Sequence, residues 1–185
     1  DGGSYYQRIV LLGRQFDAAK AVSLAAEIGQ DAALSGFQRA ALQGSIAELR
    51  KDWPAAEAHY RDALAYGAPT TATIRLAVVL YRQNRKIEAL ELLAVIQANA
   101  ALSDEIRRDA FATEIQFLQM SGQDPQSVSA GLDDIYSRAL LAWPQAHRLR
   151  YQYAMRLFSQ GQVRQALDEL RTVLQSAPAD VDALN

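Results

Sequence analysis

The residues from His147 to Asp180, HRLRYQYAMRLFSQGQVRQALDELRTVLQSAPAD, hold two amphipathic segments that face each other across Gly161. Tyr153, Ala154 and Leu157 lie on the first, and Val163, Ala166, Leu170 and Val173 on the second, before Pro178. Apolar residues at steps of three and four define one face of an α-helix, and glycine and proline end such segments. One helix–turn–helix unit of this kind cannot bury its apolar face alone. A chain built on it therefore needs further copies stacked against it.

Related units precede it. Phe16, Ala19 and Val22 follow Gly13 at helical spacing and read as a partial first unit over residues 3–34, with Ser23 where a large apolar residue is wanted. Gly29-Gln30-Asp31 reads as a turn with an N-capping acid, which places a helix from about Asp31 to Arg50. Gly44 and Ala47 lie on it, and Lys51-Asp52-Trp53-Pro54 breaks it, with Pro54 acceptable in the first turn of the next helix. Ala56, Tyr60 and Ala63 then repeat 33 residues later as Ala89, Leu93 and Ile96. Leu76, Ala77 and Leu80 lie on the helix before that second set, with Asn84 in the turn.

A helix opens at Ser103, with Asp104 and Glu105 near its positive end and Phe111, Ile115 and Leu118 on its apolar face. Gly122 ends it. Residues 123–131, with Pro125 inside, read as an enlarged inner turn before Leu132, Tyr136 and Ala139. Ile115 falls where a small residue is wanted. Units are thus expected at 37–69, 70–103, 108–146 and 147–180, and residues 181–185 read as the opening of a further, truncated one.

This pattern of Leu-Gly-x2-Tyr, then Ala-x3-Phe, then Pro resembles the tetratricopeptide repeat (TPR) family. The match is closest at Leu76, Ala77 and Leu80 with Ala89, and at Tyr153, Ala154 and Leu157 with Ala166 and Pro178. The resemblance covers nearly the whole chain. It implies an all-α fold: a right-handed superhelical solenoid of antiparallel helix pairs, about five repeats long. Small residues (Gly44, Ala77, Ala154, Ala56, Ala89, Ala166) would admit close helix approach, and Tyr60, Leu93 and Leu170 would fill the space between.

Composition agrees with an all-helical chain and excludes several function classes. Half of the 185 residues are hydrophobic, alanine is abundant, and no alternating β-branched run is present. The net charge is -2, with both signs interspersed, so no basic stripe for nucleic acid stands out. No apolar run approaches the roughly 18 residues of a membrane span. With no cysteine, disulfides, thiolate metal sites and cysteine catalysis are excluded.

The enzyme reading is poor. His59 and His147 lie in different units, and the sequence holds no H-E-x-x-H, phosphate loop or nucleophile elbow. Asp104-Glu105 and Asp133-Asp134 read as helix-start and solvated acids, and Glu57 with Arg61 as a helix-surface pair. No catalytic residue, cofactor or metal is expected.

In TPR proteins the first helix of each pair lines the concave groove. By position that face would carry Gln38, Ala41, Ser45 and Glu48; Thr71, Ile74, Val78, Tyr81 and Arg82; Asp109, Ala112, Gln116 and Gln119; and Arg148, Tyr151, Met155 and Phe158. The expected protein-binding site is Ile74, Val78, Tyr81, Arg82, Arg148, Tyr151, Met155 and Phe158, because the inter-helix motif does not need them and aromatics beside arginine suit protein recognition. The alternative is that these residues pack against neighbouring helices. The Lys/Asn carboxylate clamp of chaperone-binding TPR domains is not matched: Ala41, Ser45, Ile74, Val78, Tyr151 and Met155 stand there. Arg75, Arg82 and Arg148 read as surface-solvating side chains.

The resemblance implies a non-enzymatic scaffold or adaptor for a protein or peptide. The Ala- and Gln-rich repeats are similar to bacterial cell-envelope TPR proteins, which include lipoprotein adaptors for a processing protease and periplasmic scaffolds of exopolysaccharide secretion. That favours the periplasm or outer membrane over the cytoplasm. Two alternatives stand beside it: a regulatory or substrate-recruiting segment of a larger enzyme, and a self-assembly module forming homo-oligomers.

Overall fold

Among the described residues of the computed structural model run eight α-helices and no strand. The described residues are 34–67 and 71–176, together with Val22, Ser23 and Glu27. Most of the expected partial first unit, the turn at 29–31, and residues 177–185 with Pro178 lie outside them. The helices are α1 Gly36–Leu49, α2 Trp53–Leu64, α3 Thr71–Arg82, α4 Lys86–Ala98, α5 Asp104–Gln119, α6 Pro125–Ala142, α7 His147–Ser159 and α8 Val163–Ser176. Taken two at a time in chain order, α1 with α2, α3 with α4 and α7 with α8 pack directly on each other. The chain divides into two units, Asp1–Glu114 and Ile115–Asn185, and the division falls inside α5.

In the first unit, α1 packs on α2, α2 on α3 and α3 on α4. Helix α1 starts later than the expected Asp31. Ser35 is its N-cap: its hydroxyl accepts from the Gln38 amide at 3.2 Å, and the Gln38 side chain accepts from the Ser35 amide at 2.9 Å. This reciprocal capping box satisfies two amides the helix leaves unpaired, so the chain turns into helix there. Asp52 caps α2 through the Ala55 amide, with Pro54 in the first turn as expected.

The core of this unit is the small–large pattern. Ala56, Tyr60, Ala63, Leu76, Ala77, Leu80, Ala89, Leu93 and Ile96 are all fully buried. Gly44 shows why a small residue is needed: a Cβ there would lie 2.7 Å from the Tyr60 ring. On the N-terminal side Val22, Leu34 and Leu49 pack onto Leu42 and Ile46. Helix α5 meets α4 through side chains. Gln97 donates to Glu114 at 2.7 Å, and Arg107 donates to the Gln97 carbonyl at 3.1 Å.

The two inner turns of this unit are alike. Lys51 and Asn84 adopt positive φ of 59° and 64°. The amides of Asp52 and Arg85 each return to the carbonyl five residues earlier, Ala47 and Leu80, at 2.9 Å. This is the bond by which a left-handed residue terminates a helix. In the second unit Gly161, φ 78°, and the bond from Gln162 to Leu157 at 2.9 Å repeat it.

In the second unit, α6 packs on α7 and α7 on α8. Tyr136 of α6 stacks on Tyr153 of α7 with ring centroids 5.4 Å apart. Arg156 of α7 donates to Asp133 and to the Ser129 carbonyl of α6, each at 2.9 Å. Arg150 of α7 pairs with Glu169 of α8 at 2.5 Å. Ala154, Leu157, Ala166 and Val173 are buried between α7 and α8, but Leu170 is half-buried rather than the filled position expected of it.

The stretch from α5 to α6 departs from expectation in two respects. The enlarged turn at 123–131 is helix from Pro125 onward. Asp124 caps α6 by accepting from the Gln126 and Ser127 amides at 3.0 and 2.9 Å, and Pro125 occupies the first turn. An acid followed by proline is a helix start, because the N-terminal amide that proline lacks would have no partner anyway. The extra residues lengthen the helices instead: α5 has 16 residues against 12 for α3, and α6 has 18 against 13 for α4. The small residue sought at Ile115 is supplied elsewhere. Ala110, 33 residues after Ala77, is fully buried, and Gly131 of α6 receives Leu118, whose Cδ2 would lie 2.7 Å from a Cβ there.

Candidate functional site

The expected site residues fall on α3 in the first unit and α7 in the second. On α3, Ile74 is buried, Val78 and Tyr81 are half-buried and Arg82 is exposed. Lys86 lies 5.6 Å from the centroid of the Tyr81 ring, within cation–π range. Burial raises the Tyr81 phenol above its usual pKa, and Arg82 works against it. Ile74 is thus a packing residue, and the outward face of α3 is narrower than its sequence implies.

The face of α1 is closed further. Ser45 is buried, with its hydroxyl on the Ala41 carbonyl at 2.9 Å and near the Tyr60 hydroxyl at 3.3 Å. Glu48 accepts from the Tyr60 hydroxyl at 2.9 Å and forms a short ion pair with Arg75 of α3. Its carboxylate therefore ties three successive helices, and its side chain is 13 % exposed. Arg75 belongs to this cluster and is not the solvated arginine expected.

A second cluster was not expected from sequence beyond its Glu57–Arg61 pair, which forms at 2.8 Å. Glu57 of α2 also accepts from Gln83 at 2.9 Å and from Arg85 at 2.8 Å, at the turn between α3 and α4. Burial opposes ionisation of Glu57 most strongly, but the hydrogen bonds from Arg85, Gln83 and Arg61 outweigh it and hold the carboxyl at about 2. Every partner of Glu57 is 26 or 28 residues away or one helical turn along, so the cluster staples consecutive pairs.

On α7 three of the four expected residues are exposed. Arg148, Tyr151, Met155 and Phe158 recur at steps of three and four and share one face. Tyr151 is half-buried, Met155 is 44 % exposed, Phe158 is 58 % exposed, and Arg148 is exposed. Packing on α6 and α8 uses the other faces, through Tyr153, Arg156, Ala154, Leu157 and Arg150. Helix α7 has no acidic residue. Arg150 and Arg156 are consumed by Glu169 and Asp133, whereas Arg148 has no ion pair among the described residues.

Other large apolar side chains are exposed: Ile87 and Val95 on α4, and Val163, Leu167 and Leu174 on α8, where Val163 was expected on the inward face with Ala166 and Val173 but stands at the first position of the helix, 46 % exposed. Val163, Leu167 and Leu174 recur at steps of four and seven, a stripe along the helix.

His59 and His147 are each half-buried and belong to different units. Asp104 and Glu105 lie in the first turn of α5, and Asp134 pairs with Arg138 at 2.8 Å. Among the described residues, no group of three or more His, Cys, Asp or Glu is placed to hold a metal ion. No described helix is long and apolar enough to cross a membrane. No family model matches the chain, and no curated protein matches it.

Proposed function

We propose that the chain is a non-enzymatic scaffold of the tetratricopeptide kind that binds a protein or peptide on the outward faces of its first helices, α7 above all. The observation that carries this reading is the exposure of Met155 and Phe158 in one row with the half-buried Tyr151 and the exposed Arg148. Large exposed apolar side chains with an arginine at the edge are the composition of recognition surfaces. The repeated inner turns and the small–large spacing support the family assignment. A role in the bacterial cell envelope is part of the proposal and rests on the resemblance of the repeats.

The test is capture from fractionated source cells by the immobilised chain and by a Tyr151→Ala/Phe158→Ala variant shown by circular dichroism to stay folded. A partner retained by the parent and lost by the variant is the expected result. Equal retention by both would remove the α7 face from the proposal.

The apolar stripe of α8 favours a second reading, self-assembly through Val163, Leu167 and Leu174. Light scattering over a concentration series decides it: a monomer mass throughout eliminates this reading, and a mass that Leu167→Ser/Leu174→Ser returns to monomer establishes it.

A further inference from the structure

We infer that the segment bound on α7 is an acidic, apolar peptide: a carboxylate seated on Arg148, with apolar side chains against Tyr151, Met155 and Phe158. This rests on the proposal that α7 carries the binding face. The argument is one of charge. Helix α7 contributes arginines and no acid, and its two inward arginines are neutralised within the unit by Glu169 and Asp133. Arg148 alone of its three arginines on the paired and unpaired faces is left, among the described residues, without a carboxylate. It lies on the same face as the apolar row, at one end of it.

A partner that covers the row therefore also covers a guanidinium. Covering it with an apolar group would bury an unpaired charge, whereas a carboxylate forms the charge-assisted pair that guanidinium geometry suits. The face also sets the length of the segment. From Arg148 to Phe158 the helix rises about 15 Å. An extended peptide of about four or five residues spans that distance. The acid is thus expected at one end of a short apolar stretch and not in its middle. Guanidinium with aromatic and thioether surface also disfavours a basic partner, which would meet Arg148 with like charge.

The experiment is selection from a displayed random peptide library on the full chain, run in parallel on Arg148→Gln and on Met155→Ser/Phe158→Ser. All three proteins are first matched by circular dichroism. Peptides selected on the parent are expected to carry Asp or Glu beside apolar residues. On Arg148→Gln the apolar residues are expected to persist and the acid to disappear. A synthetic copy of a selected peptide should bind Arg148→Gln about tenfold more weakly, a difference that its Asn or Gln analogue should not show. Parent-selected peptides that are apolar without acid enrichment, and are lost on Met155→Ser/Phe158→Ser, would overturn the acidic partner while leaving the α7 face intact. Peptides that bind all three proteins equally, or the absence of any selected peptide, would overturn the face itself.

Discussion

Three first helices present the same column of positions to three different fates. Glu48 on α1, Tyr81 on α3 and Phe158 on α7 are equivalent: 33 residues separate the first two, as they separate Gly44 from Ala77, and 77 separate the next two, as they separate Ala77 from Ala154. Glu48 is tied to Tyr60 and Arg75, Tyr81 is half-buried beside Lys86, and Phe158 is exposed. The neighbouring column behaves alike. Ser45 is buried, Val78 is half-buried and Met155 is exposed. The repeat thus fixes where a side chain stands along its helix, and the chemistry of the residues around it decides whether that place is structure or surface. On α1 a tyrosine hydroxyl and an arginine meet at a carboxylate, so the face is consumed. On α7 the polar partners point to α6 and α8, and the outward face is left over.

The largest effect that would break this contrast lies on α1. Glu48→Ala leaves Arg75 partly buried without its carboxylate and is expected to cost about 3 kcal/mol in chemical denaturation. A loss no larger than that of a surface substitution would erase the distinction between the faces of α1 and α7. Next comes Gly44→Ala, which drives a methyl into the Tyr60 ring and is expected to cost about 1–3 kcal/mol. Gly131→Ala is its counterpart in the second unit. There the methyl meets the far end of the Leu118 side chain, which can rotate, so the loss should be smaller than at Gly44.

Glu57→Gln is expected to cost about 1–2 kcal/mol, because hydrogen bonds to a charged acceptor are replaced by neutral ones. Its pH dependence follows from the depressed pKa. The stabilisation is present above the ordinary carboxyl value of 4.5 and is lost as pH falls toward about 2. Parent and Glu57→Gln should therefore converge in stability over that window, as read by denaturation at successive pH values. The smallest effect is at the inner turn: Lys51→Gly relieves a left-handed lysine and is expected to raise stability by about 0.5–1 kcal/mol.

Much of the fold was legible because helix pairs announce themselves by spacing. Ala56, Tyr60 and Ala63 recur as Ala89, Leu93 and Ile96, and all six are fully buried. The start of α1 was missed: the glycine at 29 drew the expected cap to Asp31, whereas Ser35 and Gln38 form the capping box. Pro125 misleads for a related reason. Proline breaks a helix interior and opens a helix at its first turn, and only the Asp124 before it distinguishes the two, just as Asp52 stands shortly before Pro54.

The exposure of Arg148, Met155 and Phe158 was legible in their spacing on α7, and that of the α3 face less so, because Ile74 is buried. The Glu48 cluster was not legible at all. Arg75 is 27 residues from Glu48, and the pair exists because three helices pack at a particular crossing, which no local pattern encodes.

The contrast between the two faces rests on the α7 row being spare to the fold. Urea denaturation of Met155→Ser/Phe158→Ser beside the parent tests this directly. The account expects a midpoint within about 0.5 kcal/mol of the parent and an unchanged m-value, as for surface substitutions. A loss on the scale of a core truncation, about 2 kcal/mol or more, would contradict it and make the α7 row part of the packing.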